Sequence, residues 1–270
     1  MSNDLKYTTR FPRTSQYHPD WILSAVSGGA NPLWLTEWLV EAMELKSGMK
    51  VLDLGCGRAM SSIFLAREFG VQVWAADWWF DPAENRKRID HAGLAKQVFP
   101  CRVDARHLPF AFEFFDAVIG IDSFHYFGTD FFYLPYLAQF LKPNGMLGIA
   151  AAGLVHEIET AAPPAHLAEW WEPGLWSLHS ANWWRQHWNR SGVVDVEVAD
   201  DLADGWEYWL RWQQVIAPDN APEINALQAD AGQNLTYVRA VAKRQREPIE
   251  PQIASIPENF QAFPLLSDSK

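Results

Sequence analysis

The chain reads as an α/β protein built on a doubly wound, mostly parallel sheet of seven strands. Three observations predict this class. From residue 50 to residue 151, short apolar runs alternate with helical segments. Strands that are apolar almost throughout are buried on both faces, and β-α-β alternation joins them in parallel. A glycine turn, Gly55-Cys56-Gly57, joins the first strand to the first helix of this series. Finally, 270 residues with 49 % hydrophobic and 20 % charged side chains can bury a full core without staples.

The elements follow in order. Residues 1–31 are polar and irregular, hold Pro12 and Pro19, and end in the turn signal Ser27-Gly28-Gly29-Ala30-Asn31. Asn31 caps a helix with Pro32 at its first position, expected to run to about Leu45. Lys50 to Leu54 is a buried strand, Ala59 to Phe69 a helix, Gln72 to Ala76 a second strand and Pro82 to Ala92 a polar helix. Gln97 to Val103 and Phe115 to Ile121 are the third and fourth strands. Asp130 to Leu141 is a helix stopped by Pro143-Asn144-Gly145, and Met146 to Ala151 is the fifth strand. Right-handed crossovers then place helices on both faces of the sheet.

The second half is less regular. Residues 152–180 form an expected lid insertion with Pro163-Pro164, Pro173 and three tryptophans. Ser180 caps a helix over Asn182 to Arg190. Val193 to Val198 is a sixth strand, and Asp204 with Glu207 has capping-box spacing for a helix from Gly205 to Ile216. Leu235 to Ala242 is the last strand. The domain is expected to span 32–245, with a flexible, proline-bearing tail over 246–270.

Composition narrows function. The formal net charge of −11 disfavours a nucleic-acid substrate, because phosphate backbones are bound by Lys and Arg. Cys56 and Cys101 are the only cysteines, so no disulfide framework is indicated. The first residues hold no apolar signal core, and a cytoplasmic protein without a membrane span is expected. Of the 15 tryptophans, nine lie between Trp170 and Trp212. That density is above background, and the helical spacing of Trp184 with Trp188 and Trp206 with Trp209 fits packing stripes. His156, His166 and His179 have no metal-ligand spacing, so no metal is expected.

The chemistry concentrates at the carboxyl ends of the strands, where open α/β sheets bind ligands. Gly55 and Gly57 let backbone approach a ligand, and the following helix N-terminus suits a carboxylate or phosphate. A second apolar strand ends in Asp77, whose carboxylate can accept from both hydroxyls of a ribose. The third and fourth strands end in Val103-Asp104-Ala105 and Ile121-Asp122. A nicotinamide dehydrogenase would need a third glycine where Met60 stands.

In order and spacing, VLDLGCGRA, Asp77, Asp104-Ala105, FDAVIGIDSFHYF and LKPNGMLGI resemble the motifs of class I, Rossmann-like methyltransferases that use S-adenosyl-L-methionine. The likeness is strongest to the small-molecule branch that methylates ubiquinone, sterols and natural products. It covers residues 33–151 closely and 180–243 loosely. Two departures stand out: Ala59 where many members have a glycine, and Asn144 in place of the first glycine of a Pro-Gly-Gly turn.

The resemblance implies an enzyme that moves the sulfonium methyl to an N, O or C atom of a small molecule. It places the methionine end by Gly55, Cys56 and Gly57, with Asp53 ordering the loop. Asp77 would hold the ribose, Asp104 and Ala105 the adenine edge, and Trp78 an adenine face or simple packing. Beside the methyl stand Asp122, Tyr126 and His125, a proton acceptor or a histidine bonded to backbone. Tyr17 and Trp21 are expected to cover the cofactor, and the tryptophan-rich insertion to cover the acceptor. The competing readings are a cofactor-binding protein without turnover and a protein methyltransferase; oligomeric state stays open.

Overall fold

A computed structural model describes residues 9–247 and 249. Its centre is one seven-stranded sheet: β1 (Lys50–Leu54), β2 (Gln72–Asp77), β3 (Val98–Arg102), β4 (Phe115–Ile121), β5 (Leu141–Leu154), β6 (Val194–Asp201) and β7 (Leu235–Arg244). The spatial order is β3-β2-β1-β4-β5-β7-β6. β1 to β5 pair in parallel, while β7 runs antiparallel between β5 and β6. The helices are α1 (Pro19–Ser24), α2 (Pro32–Val40), α3 (Met60–Phe69), α4 (Pro82–His91), α5 (Tyr133–Ala138), α6 (Ala181–Arg190), α7 (Gly205–Ile216) and α8 (Ala221–Asp230). One apolar layer gathers α1 to α4 with α7 and α8; the other holds α5 and α6. The doubly wound class expected from the sequence is therefore the observed one.

Local chemistry explains most element ends. The Asn31 side chain accepts from the N–H groups of Leu33 and Trp34, and Pro32 opens α2. Ser180 Oγ caps α6 through Trp183 N–H. Asn144 does take the left-handed region, at φ 62.

Four expectations need correction. The helix starting at Pro32 ends at Val40 instead of Leu45. The Asp130 to Leu141 helix shrinks to the six residues of α5, and Pro143-Asn144-Gly145 lies inside the long strand β5, where the pairing register with β4 shifts. Asp204 makes no side-chain cap, since it sits at φ 55 and only its carbonyl receives Glu207 N–H. Helix α8 is an element the sequence reading missed, and α1 and a turn of 3-10 helix at Thr14–Gln16 occupy part of the supposedly irregular N-terminus. The expected tail over 246–270 lies outside the described residues apart from 246, 247 and 249.

Candidate active site

A cavity of about 710 Å³ opens at the carboxyl ends of β1 to β4. That volume falls within the range of roughly 300–1,000 Å³ typical of small-molecule sites. Its floor is the turn after β1. Gly55 and Gly57 sit at φ 79 and φ 54, where L side chains are strained. A Cβ on Gly55 would collide with Ser123, and one on Gly57 would stand 2.6 Å from Ser27 Oγ. The Gly57 N–H donates to Asp77 Oδ2 at 2.8 Å, and its carbonyl accepts from the Asn85 amide at 2.9 Å. The first glycine turn and the acid that ends β2 thus meet at one wall.

Asp77, 7 % exposed, also accepts at Oδ1 from the N–H groups of Trp79 and Phe80. These three backbone donors fix both oxygens and leave one acceptor site, on Oδ2, unused. Trp78 is 56 % exposed in the cavity wall, with the Arg102 guanidinium 5.7 Å from its ring. Asp104 and Ala105 also line the cavity. Asp104 is held by Arg106, with two side-chain contacts of 3.0 Å each, and this partner lowers its pKa to about 2. The Ala105 carbonyl accepts from Tyr133. At the far end Asp122, at φ 50, accepts from Ala30 N–H at 2.7 Å and Ala152 N–H at 3.2 Å.

Two sequence candidates stand behind the wall instead of in it. Asp53 is fully buried and accepts from Ser61 and Ser62 at 2.6 and 2.5 Å at the start of α3. Burial, only partly offset by the two hydroxyls, raises its pKa to about 6. His125 is 8 % exposed and its ring lies 4.1 Å from that of Tyr126, which does line the cavity. Burial lowers the His125 pKa against the opposing pull of Asp122, so the ring is neutral at pH 7. Its Nδ1 has no hydrogen-bond partner. Cys56 lines the cavity, but burial pushes its thiol well up, which leaves it unreactive.

The covering segments differ from expectation. Ala25, Ser27, Gly28, Gly29 and Ala30 roof the cavity, and Gln213 donates to the Gly29 carbonyl at 3.1 Å. Tyr17 and Trp21 instead line a separate groove beside α3 and α4. No residue of 152–180 belongs to the cavity wall. That insertion docks on the helices behind: His166 meets Asp230 at 2.9 Å and Trp170 lies against Trp209. The reason is apolar area, because Trp170 and Trp171 gain more by packing on the core than by facing solvent. Sequence reasoning also missed Ser27, Arg58, Asn85 and Ser123. The serine-glycine-glycine run was the one available signal, read only as a turn. Among the described residues, no three His, Cys, Asp or Glu side chains are placed to hold a metal ion, and no helix is long and apolar enough to cross a membrane.

Comparison with known proteins agrees with the geometry. Residues 51–145 match the family described as "Methyltransferase domain". Methyltransferase GfsG of Streptomyces halstedii is 34 % identical over 131 residues, covering 47 % of each protein, so the chain spans about half the length of that curated relative. Among solved structures, geranyl diphosphate C-methyltransferase from Streptomyces coelicolor A3(2) superimposes with a TM-score of 0.63 at 18 % identity, over 77 % of each chain. The cyclase SpnF does so with a TM-score of 0.61 at 18 % identity, over 79 % of this chain and 80 % of its own. At such identities these two likenesses establish the fold.

Proposed function

We propose that this chain, whose residues 51–145 match the methyltransferase-domain family, transfers the methyl group of S-adenosylmethionine to a small-molecule acceptor. The observation that carries the reading is the meeting of Gly57 and Asp77 through the 2.8 Å bond in the wall of a ligand-sized cavity. The residues present fit the cofactor. Two glycines clear the floor, a helix N-terminus follows them, and a carboxylate and an exposed indole stand at the next strand end.

When bound, the cofactor supplies a sulfonium methyl group that an acceptor atom can attack directly. The chain supplies placement. Backbone N–H groups at the start of α3 would hold the methionine carboxylate. Asp77 would accept a ribose hydroxyl at its remaining Oδ2 site, and Trp78 would offer the adenine a ring face, with Arg102 against the indole. Ala105 and Asp104 stand at the adenine edge, Asp104 already neutralised by Arg106. Asp122, fixed by two backbone donors, orients the acceptor end, and Tyr126 lines it. His125, kept neutral by burial, backs the Tyr126 ring from behind the wall and so positions Tyr126 without touching the acceptor. Ser27 to Ala30 cover the bound cofactor.

Calorimetric titration tests the reading. Wild-type protein should bind S-adenosylmethionine and its demethylated product saturably. Asp77→Asn, which keeps an acceptor oxygen for the loop, should bind them at least about tenfold more weakly, a loss of roughly 1.4 kcal/mol. Folded wild-type protein that gives no heat with either compound would overturn the assignment. The second reading is a cofactor-binding protein that transfers no methyl group. It predicts cofactor binding with no demethylated product across a panel of amines, phenols and fatty acids.

A further inference from the structure

A second cavity, also of about 710 Å³, lies outside the site described above, between α1, α3 and α4. Its apolar wall is aromatic: the buried Tyr17 ring and the half-buried Trp21 ring have centroids 5.3 Å apart, tilted by 35°. Its polar wall is cationic. Arg67 and Arg88 both line it, and neither forms an ion pair within 4.0 Å among the described residues. Arg67 donates to the Ala92 carbonyl at 2.9 Å and Arg88 to the Ser24 hydroxyl and carbonyl, so among the described residues both guanidinium groups hydrogen-bond to neutral acceptors, with Glu84 acting on Arg88 only at longer range. The two carboxylates in the groove are already engaged. Glu68 accepts from Tyr17 at 2.9 Å and Arg13 at 3.1 Å, and Glu84 from Lys87 at 2.7 Å.

The cationic wall stands on a chain whose net charge is −11. Here Arg88 is partly withdrawn from water beside a second cation, Arg58, and both effects lower its pKa against the smaller opposing pull of Glu84. Withdrawing a guanidinium toward a like charge is a cost that a bound anion relieves, through charge-assisted hydrogen bonds. The adjoining rings offer a flat partner of about one ring's width.

We propose that the α1–α3–α4 groove is a second ligand site, for a small aromatic anion: a phosphate monoester or carboxylate carried on a flat ring. The anion sits between Arg67 and Arg88, with His91 at the rim, and the ring lies against Trp21 and Tyr17. The site does not depend on the methyl-transfer reading.

Phenyl phosphate and benzoate are the probes, titrated into the full-length protein by calorimetry and by proton NMR of the indole N–H region. At least one probe should bind saturably with a Kd below about 1 mM, and Arg67→Ala with His91→Ala should weaken it at least about tenfold. Phenyl phosphate alone binding assigns phosphate esters, and benzoate alone assigns carboxylates; either supports the site. Saturating S-adenosylhomocysteine should leave probe binding intact, because the cofactor cleft is a separate cavity. Absence of saturable binding, an unchanged Kd in the double variant, or displacement by S-adenosylhomocysteine would each overturn the proposal.

Discussion

Asp53 shows how a motif residue can act without touching a ligand. Its buried carboxylate holds Ser61 and Ser62, and its Oδ1 has no partner. The fold keeps its proton up to a pKa of about 6, whereas the unfolded chain releases it near 3.8. A raised carboxylate pKa means that stability is fully present below 3.8 and is lost as pH rises through about 6. The loss across that window is on the order of 3 kcal/mol. Asp53→Asn has no charge to bury, so its stability relative to wild type should rise by about 1–3 kcal/mol between pH 4 and pH 8, read from urea melts. A difference that does not change with pH would refute the burial argument. Ala59 is the second case. The sequence suggested only a tighter helix approach, yet the residue sits at φ 60, where alanine is strained. Ala59→Gly should raise unfolding free energy by about 0.5–1 kcal/mol, the strain relieved less glycine's entropy cost. Residue type made Gly57 and Asp77 readable. The role of Asp122, which binds two backbone N–H groups from segments 92 and 30 residues away, had no local signal.

At the scale of elements, strands were more legible than helix ends. A buried strand needs only apolar continuity, but a helix stops where its tertiary support stops, so α2 and α5 end early. The segment from Ser27 to Ala30 belongs to the same lesson: a turn by composition, a roof by contact. Gly29 has φ 59, and a Cβ there would collide with Asp122 Oδ2, whereas Gly28, at φ 96, has nothing within 4 Å of that position. Gly29→Ala and Gly28→Ala both strain the backbone, but the first alone pries the roof from Asp122. Gly29→Ala should therefore weaken S-adenosylhomocysteine binding at least about fivefold more than Gly28→Ala, a difference of roughly 1 kcal/mol. Equal affinities in the two variants would show that the roof does not depend on Asp122.

For the whole molecule, the doubly wound parallel class was legible from β-α-β alternation and right-handed crossovers, whereas the order β3-β2-β1-β4-β5 comes from the structure. The insertion of β7 between β5 and β6 was not legible either. It is set by nine register pairs between distant strands β5 and β7, for which local sequence carries no mark. The N-terminal segment is likewise part of the core. Phe11 and Ile22 are 0 % and 1 % exposed, and Phe11 lies against Trp34 and Tyr208. Glu37, 4 % exposed, has its carboxylate satisfied by Arg13 N–H, Thr14 N–H and the Thr14 hydroxyl at 2.9, 2.7 and 2.6 Å. Removing residues 1–31 exposes the apolar surface that these side chains covered, at about 2 kcal/mol for each large one, and strands a buried carboxylate. The truncated chain should lose at least about 5 kcal/mol of unfolding free energy, with Glu37→Gln recovering part of that loss. The intact chain should melt in a single transition when circular dichroism and tryptophan fluorescence are followed together. A truncated chain of wild-type stability, or an early fluorescence transition in the intact one, would make the segment a detachable flap instead of a structural layer. If the segment is that layer, lost cofactor binding on truncation says nothing of the roof, and the paired glycine variants are the discriminating experiment.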